Sequence, residues 1–228
     1  MITCEEIYDL HTTGALESAL CEAYREIPLD SRNSMRKNDT PLHMACAFAD
    51  ENAVRILLER GADVNVRNDD GDTPLCVLAK RKCCGKETTI AGIAGLLVSK
   101  EARVPRSGKN TTALIEAVGN RHFLMADILL MSGCRIDSTN SNGNNVLHVI
   151  CQSAGDIAYD IKRTKERIAD FSERWYSEKD KREAYENMEY LEEADRQCFL
   201  TAKRILENGQ IDTEDKNNIG KTALDIAW

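Results

Sequence analysis

Two short motifs recur along this chain at a fixed period, and that recurrence limits the fold more than any other feature. Thr40-Pro41-Leu42-His43 returns 33 positions later as Thr73-Pro74-Leu75-Cys76. Weaker copies follow at Thr112-Ala113-Leu114-Ile115, at Asn145-Val146-Leu147-His148, again 33 positions on, and at Thr222-Ala223-Leu224-Asp225. A second marker trails the first at constant phase. It reads Ile56-Leu57-Leu58-Glu59-Arg60-Gly61-Ala62-Asp63-Val64-Asn65, then Ile128-Leu129-Leu130-Met131-Ser132-Gly133-Cys134-Arg135-Ile136-Asp137, then Arg204-Ile205-Leu206-Glu207-Asn208-Gly209-Gln210-Ile211-Asp212. Around Leu96-Leu97 the phase persists, with Lys100 where the glycine would stand. A period of about 20–50 residues marks an array of one small supersecondary unit. Such a unit cannot bury its apolar face alone, so neighbours must stack on it.

The residue types suit helices at these positions. Thr40 and Thr73 are good N-caps, their hydroxyls accepting from N–H groups of the first turn. Pro41 and Pro74 occupy the first helical position, where no N–H is needed. Gly61, Gly133 and Gly209 suit the left-handed position that closes a helix. Leu42, Leu75, Leu114, Leu147 and Leu224 are placed to point into the stack.

Taken together, these residues resemble the ankyrin repeat, in which T-P-L-H opens a first helix and L-L-x-x-G-A-D-V-N closes a second. The resemblance covers nearly the whole chain. It is close in the first two repeats, moderate in the third and fourth, and confined to the opening of the fifth. It implies an all-α ankyrin-repeat solenoid forming a single domain. Residues 1–35 form an N-terminal capping repeat, 36–68 repeat one, 69–107 repeat two with a short insertion, and 108–140 repeat three. Residues 141–216 form repeat four with a helical insertion at about 157–197, and 217–228 a partial repeat five. The resemblance further implies that His43 and His148 hydrogen-bond between adjacent loops. Cys76, Ile115 and Asp225 replace that histidine, so their repeats are expected to be knit less well. His122 falls where the family often carries a helix-linking Gly-His, which leaves only His11, in the cap, without a motif role.

Three departures stand out. Residues 4–35 read as two short amphipathic helices around Thr13-Gly14, a degenerate cap. Between repeats two and three the offset grows to 39, placing six extra residues near Lys82-Cys83-Cys84-Gly85-Lys86. Zinc needs four well-spaced ligands and none assemble around that pair, so its expected role is structural. From Asn145 to Thr222 the offset is 77, which leaves 44 inserted residues, nearly all between Gln152 and Arg204. This stretch is rich in strong helix formers. Apolar residues recur at Ile157, Ile161, Ile168, Phe171 and Trp175, then at Ala184, Met188, Leu191 and Cys198, on helical stripes. The simplest construction lengthens both helices of repeat four by about 20 residues, on the order of 30 Å. They pair as an antiparallel hairpin with its turn near residues 177–180. The stripes zip the hairpin to itself, or they add a binding or self-association surface for which Trp175 and Tyr176 near the tip are candidates. At the C-terminus, Leu224 and Ile226 are expected to be exposed unless Trp228 folds over them or further chain follows.

Composition sets outer limits. The chain has 228 residues, 42% hydrophobic and 30% charged, with no apolar run long enough to span a membrane. Met1 to Glu6 lacks the basic-then-apolar pattern of a secretory signal. The formal charge of −8 argues against nucleic-acid binding. Nine cysteines, without a C-x-x-C pair, read as reduced thiols of a cytoplasmic protein, several packed as small hydrophobes. No nucleophile elbow, phosphate-cradling glycine loop or H-E-x-x-H motif occurs, so neither catalysis nor a cofactor or metal is expected.

What remains is binding, and in ankyrin-like arrays partners usually meet the hairpin loops and the exposed face of the first helices. By motif phase, the candidates are Arg36, Lys37, Asp39 and Phe48 in repeat one, then Asp69, Asp70, Asp72, Lys80 and Arg81 in repeat two. Repeat three offers Lys109 and Asn120, and repeat four Ser141, Asn142, Asn144 and Gln152. Phe48 either anchors a partner or packs on the cap, and the aspartates either meet a basic partner or serve the turns. The reading is a protein-binding scaffold or adaptor. The alternative is the recognition module of a larger enzyme or secreted effector whose catalytic part lies beyond Trp228.

Overall fold

The computed structural model describes residues 2–82, 87–102, 112–169, 177–207 and 211–227. Among them helices carry the fold, and an isolated antiparallel bridge pairs Asn33 with Asp39. The chain divides into two compact units, Met1–Arg135 and Ile136–Trp228.

The first unit is a stack of helix hairpins: α1 (Cys4–Thr12) with α2 (Glu17–Glu26), α3 (Pro41–Phe48) with α4 (Glu51–Glu59), α5 (Pro74–Ala79) with α6 (Glu87–Ser99), and α7 (Ala113–Gly119) with α8 (Phe123–Met131). First helices pack on first helices, α1 on α3, α3 on α5 and α5 on α7; second helices do the same from α2 to α8. Caps start these helices where the sequence placed them. The hydroxyls of Thr40, Thr73 and Thr112 accept from the N–H groups of His43, Cys76 and Ile115. Thr40 also forms a capping box through the His43 ring. Leu42, Leu75 and Leu114 are buried, as are Leu57, Leu97 and Leu129 of the second helices. Gly61, just past α4, holds φ at +89°, the left-handed conformation that lets the chain turn away. The cap is helical as read: Thr3 and Glu6 form a capping box, and Ile7 and Tyr24 fill the first layer.

In the second unit, α9 (Val146–Ala169) and α10 (Glu178–Glu207) run 24 and 30 residues, and α11 (Ala223–Ala227) packs on α9. The two long helices pair antiparallel: Asn187 donates to the Thr164 hydroxyl at 3.2 Å, and the Cys198 thiol lies 3.8 Å from the Ile150 carbonyl. Ile157 and Thr164 meet a seam of Ala184, Leu191, Ala194 and Cys198. The small side chains allow close approach of the helices. Ile161, Ile168 and Met188, read as part of the stripe, are only half-buried.

One expectation is corrected here. The turn does not lie at residues 177–180: α10 begins at Glu178, and Ser177 and Asp180 form its N-terminal cap. The Asp180 N–H donates to the Ser177 hydroxyl at 3.1 Å, and the Ser177 N–H to the Asp180 carboxylate at 3.1 Å. Those polar residues open a helix as readily as they form a turn. Phe171, Trp175 and Tyr176 lie outside the described residues, as do Cys83, Cys84, Gly209 and Trp228. Leu224 does not point into the stack as the other motif leucines do but is 66% exposed, whereas Ile226, expected to be exposed with it, is half-buried.

Ile157→Ala should destabilise the second unit by about 2–5 kcal/mol. Tyr159→Ala, on the exposed side of the same helix, should change stability by no more than about 0.5 kcal/mol. Urea unfolding followed by circular dichroism reads both.

Candidate functional site

The loops ahead of the first helices are built around asparagines. Asn68 accepts the N–H groups of Asp70 and Asp72 on its side-chain oxygen at 3.1 and 3.0 Å, closing its own turn. Its amide then donates across to the Asp39 carboxylate of the preceding loop at 2.8 Å. The Asp69 N–H donates to the Lys37 carbonyl at 2.8 Å, and the Lys37 ammonium pairs with Asp70. The same wiring recurs in the second unit. Asn140 and Asn217 each accept two loop N–H groups. Asn217 donates to Asn144 at 2.9 Å, and the Asn218 N–H to the Asn142 carbonyl at 3.1 Å. Gly143 has no room for a side chain in that arrangement, since a Cβ there would meet the Asn218 side chain at 2.3 Å.

The histidines add a second line of contacts. His43 Nδ1 accepts from the Thr40 N–H at 3.2 Å and lies 2.8 Å from its hydroxyl. Nε2–H is left to donate to the Asp72 carbonyl at 2.9 Å. His148 donates in the same way to the Lys221 carbonyl at 3.0 Å. Both loop-to-loop bonds are those the motif implies. His122 points backwards instead, reaching the Arg81 carbonyl at 2.7 Å. His11 is explained as well: it bonds the Tyr24 hydroxyl at 2.9 Å and stacks on Phe48 with ring centres 4.1 Å apart.

The structure sorts the candidate residues. Arg36, Lys37 and Asp69 are exposed on the loops of the first unit, with Asp70, Lys80, Arg81 and Asn120 half-buried beside them. Asp39, Asp72 and Asn144 are corrected: at 5%, 4% and 8% exposure they are loop fasteners rather than open contacts. Asp39 takes the Asn68 amide, Asp72 the Lys80 ammonium, and Asn144 the Asn217 amide. Of the two readings of Phe48, packing on the cap is the one observed: half-buried, it stacks on His11 and lies 5.6 Å from the Tyr8 ring. Asn120 ties its loop to the Ala79 carbonyl at 3.1 Å. Ser141, Asn142 and Gln152 are exposed in the second unit. Lys109, Trp175 and Tyr176 lie outside the described residues.

Two shallow depressions run along the first unit. One, of about 510 Å³, lies between α1 and the first loop; the other, of about 340 Å³, lies between the first and second loops and reaches Lys80 and Arg81. They share Arg36, Lys37 and Asp39. Motif phase had not singled out Glu5, Tyr8, Asp9 and Met35, which line the larger one. The missed asparagines did carry a signal, because Asn68, Asn140 and Asn217 each stand five positions before the motif threonine or its substitute.

Residues 37–69 match the ankyrin repeat family. The chain is an ankyrin-repeat protein. It is similar to the ankyrin repeat-containing protein P1E11.10 of Schizosaccharomyces pombe, at 34% identity over 68 residues, 27% of this chain and 33% of that one. It is also similar to the phosphocholine transferase AnkX of Legionella pneumophila, at 26% identity over 201 residues, 82% of this chain but 20% of that protein. The chain thus matches about a third and a fifth of these relatives' lengths.

Burial governs the shifted thiols and histidines of this ankyrin-repeat protein. Burial pushes the Cys46 and Cys76 thiols up, and that of Cys134 to about 11, the opposite of what a reactive thiolate needs. Among the described residues, no three or more His, Cys, Asp or Glu side chains gather to hold a metal ion. Burial holds His11, His43 and His122 below the ordinary value of 6.5. A lowered folded-state value means the unfolded chain takes up protons first. Stability should therefore be full above about pH 6.5 and decline as the pH falls below it toward the folded-state values. Urea midpoints across pH 5–8 check this, and His43→Gln should flatten the decline while costing about 1–3 kcal/mol at pH 7.5.

Proposed function

We propose that this ankyrin-repeat protein is a non-catalytic interaction module that binds a protein partner through the loops and grooves of its first unit. The observation that carries this reading is the fastening of the first loop to the second. It holds Arg36, Lys37 and Asp69 in fixed relation above two connected depressions. A surface ordered before binding loses little conformational freedom on association, which raises affinity for a given contact area. Interspersed charge of both signs favours selectivity and on-rate over bulk stickiness. No helix among the described residues is long and apolar enough to cross a membrane.

Two further readings have specific support. The likeness to AnkX spans most of this chain and a fifth of that protein, which favours a recognition module attached to a larger enzyme or effector. Sequencing the transcript beyond codon 228 decides it. Self-association through the hairpin rests on the outward Tyr159, Phe199 and Leu206 of α9 and α10. Sedimentation equilibrium with and without Phe199→Ser tests that.

The main reading is tested by affinity capture from native lysate with wild type and with Lys37→Glu combined with Asp69→Ala, after both show equal helical circular dichroism. Capture of at least one protein should fall about tenfold in the variant, the scale expected for removing central interface contacts. Wild type that retains nothing specific contradicts the reading.

A further inference from the structure

The larger depression is walled by α1 of the capping repeat on one side and by the first loop on the other. α1 supplies Tyr8, with Glu5 and Asp9 one helical turn apart on the same face, and the first loop supplies Met35, Arg36 and Lys37. Met35 is 85% exposed, a large apolar side chain standing in water at the mouth of a concavity of about 510 Å³. Tyr8 is half-buried, held from below by Phe48 and covered on one side by the Arg36 guanidinium 4.9 Å from its ring centre. The floor is therefore apolar and fixed.

The charges around it are unevenly matched. Arg36 pairs with Asp39 at 4.0 Å and Lys37 with Asp70, so both lining cations have partners on the protein. Glu5 spends one oxygen on Ser34, accepting from its N–H and hydroxyl at 3.2 Å each. The Asp9 carboxylate is exposed and has no ion pair or side-chain hydrogen bond among the described residues. What faces an incoming ligand is an apolar patch bordered on the α1 side by two carboxylates in excess.

We propose that this depression receives an extended segment of a partner protein that lays a bulky apolar side chain on Met35 and Tyr8 and sets a lysine or arginine, one or two residues away, against Asp9 and Glu5. The assignment rests on the interaction-module reading and gives it a partner chemistry. An acidic segment is disfavoured because it would bring like charge against Asp9 and Glu5. The net charge of −8 steers cationic segments toward the protein from a distance. The depression accommodates a few side chains, which suits a linear segment better than a folded face.

The test uses the full chain labelled with ¹³C at its methionine methyls, the Met35 signal being assigned by Met35→Leu. It is titrated with three synthetic Gly-Ser-based peptides: one with a leucine flanked by arginines, one with glutamates in place of the arginines, and one with the arginines but no leucine. The leucine–arginine peptide should shift the Met35 methyl with a Kd of about 1 mM or tighter, and the other two should bind at least fivefold more weakly. Asp9→Lys should weaken the leucine–arginine peptide at least fivefold and strengthen the leucine–glutamate one. A Met35 signal unmoved by every peptide overturns the proposal, as does binding indifferent to Asp9→Lys. Lysate capture separates the two levels. Partners lost with Lys37→Glu and Asp69→Ala but kept by Met35→Ala and Asp9→Lys leave the interaction module standing and remove this site.

Discussion

The bond from the Asn68 amide to Asp39, with the His43 ring donating to the Asp72 carbonyl beside it, is the constraint on which the first unit's surface depends. Helices can stack on apolar contact alone, but apolar contact does not fix the rotation of one hairpin loop against the next. Buried polar groups do, because each must find its partner or incur the cost of a lost hydrogen bond. Asn68 satisfies its own loop through its oxygen and the neighbouring loop through its nitrogen, so one residue sets both the turn and the register. His43 does the same from the helix side, bonded to Thr40 on one ring nitrogen and to the next loop on the other.

That wiring explains why chemically similar residues have different roles. Asp39 and Asp72 are consumed holding neighbours, and burial there is tolerated because each carboxylate is paired. Asp69 and Asp9, a loop and a helix away, face solvent. The aromatic cluster of Tyr8, His11, Tyr24 and Phe48 plays the corresponding part at the cap. It closes the first layer and at the same time provides the floor under Met35. The second unit repeats the loop wiring through Asn140, Asn217 and His148, but spends its inserted residues on the long α9–α10 pair.

Much of this was legible from residue spacing. The threonine caps, the prolines at the first helical position, the inward leucines and the glycine at residue 61 each follow from local physical chemistry, and they stand where the period put them. The bridging histidines were legible through the family motif. Phase along a repeat does not report exposure, however. It put Phe48 and Asp39 on the outer surface, whereas the cap covers the first and a loop neighbour takes the second. The polar break at residues 177–180 was ambiguous in kind, since Ser and Asp both open helices and make turns. The larger depression escaped because one wall of it comes from α1, where the motif has decayed and no phase marks its residues.

The first loop is fastened to the second rather than resting only on the helices beneath it. Backbone hydrogen exchange in the intact chain measures this directly. The Asp69 and Asn68 amides, bonded to the Lys37 and Asp72 carbonyls, should exchange within about tenfold of the slowest amides of α3 and α5. In His43→Ala both should speed up while α1 stays protected. Loop amides that exchange at the rate of an unstructured peptide, over protected helices, would contradict that fastening.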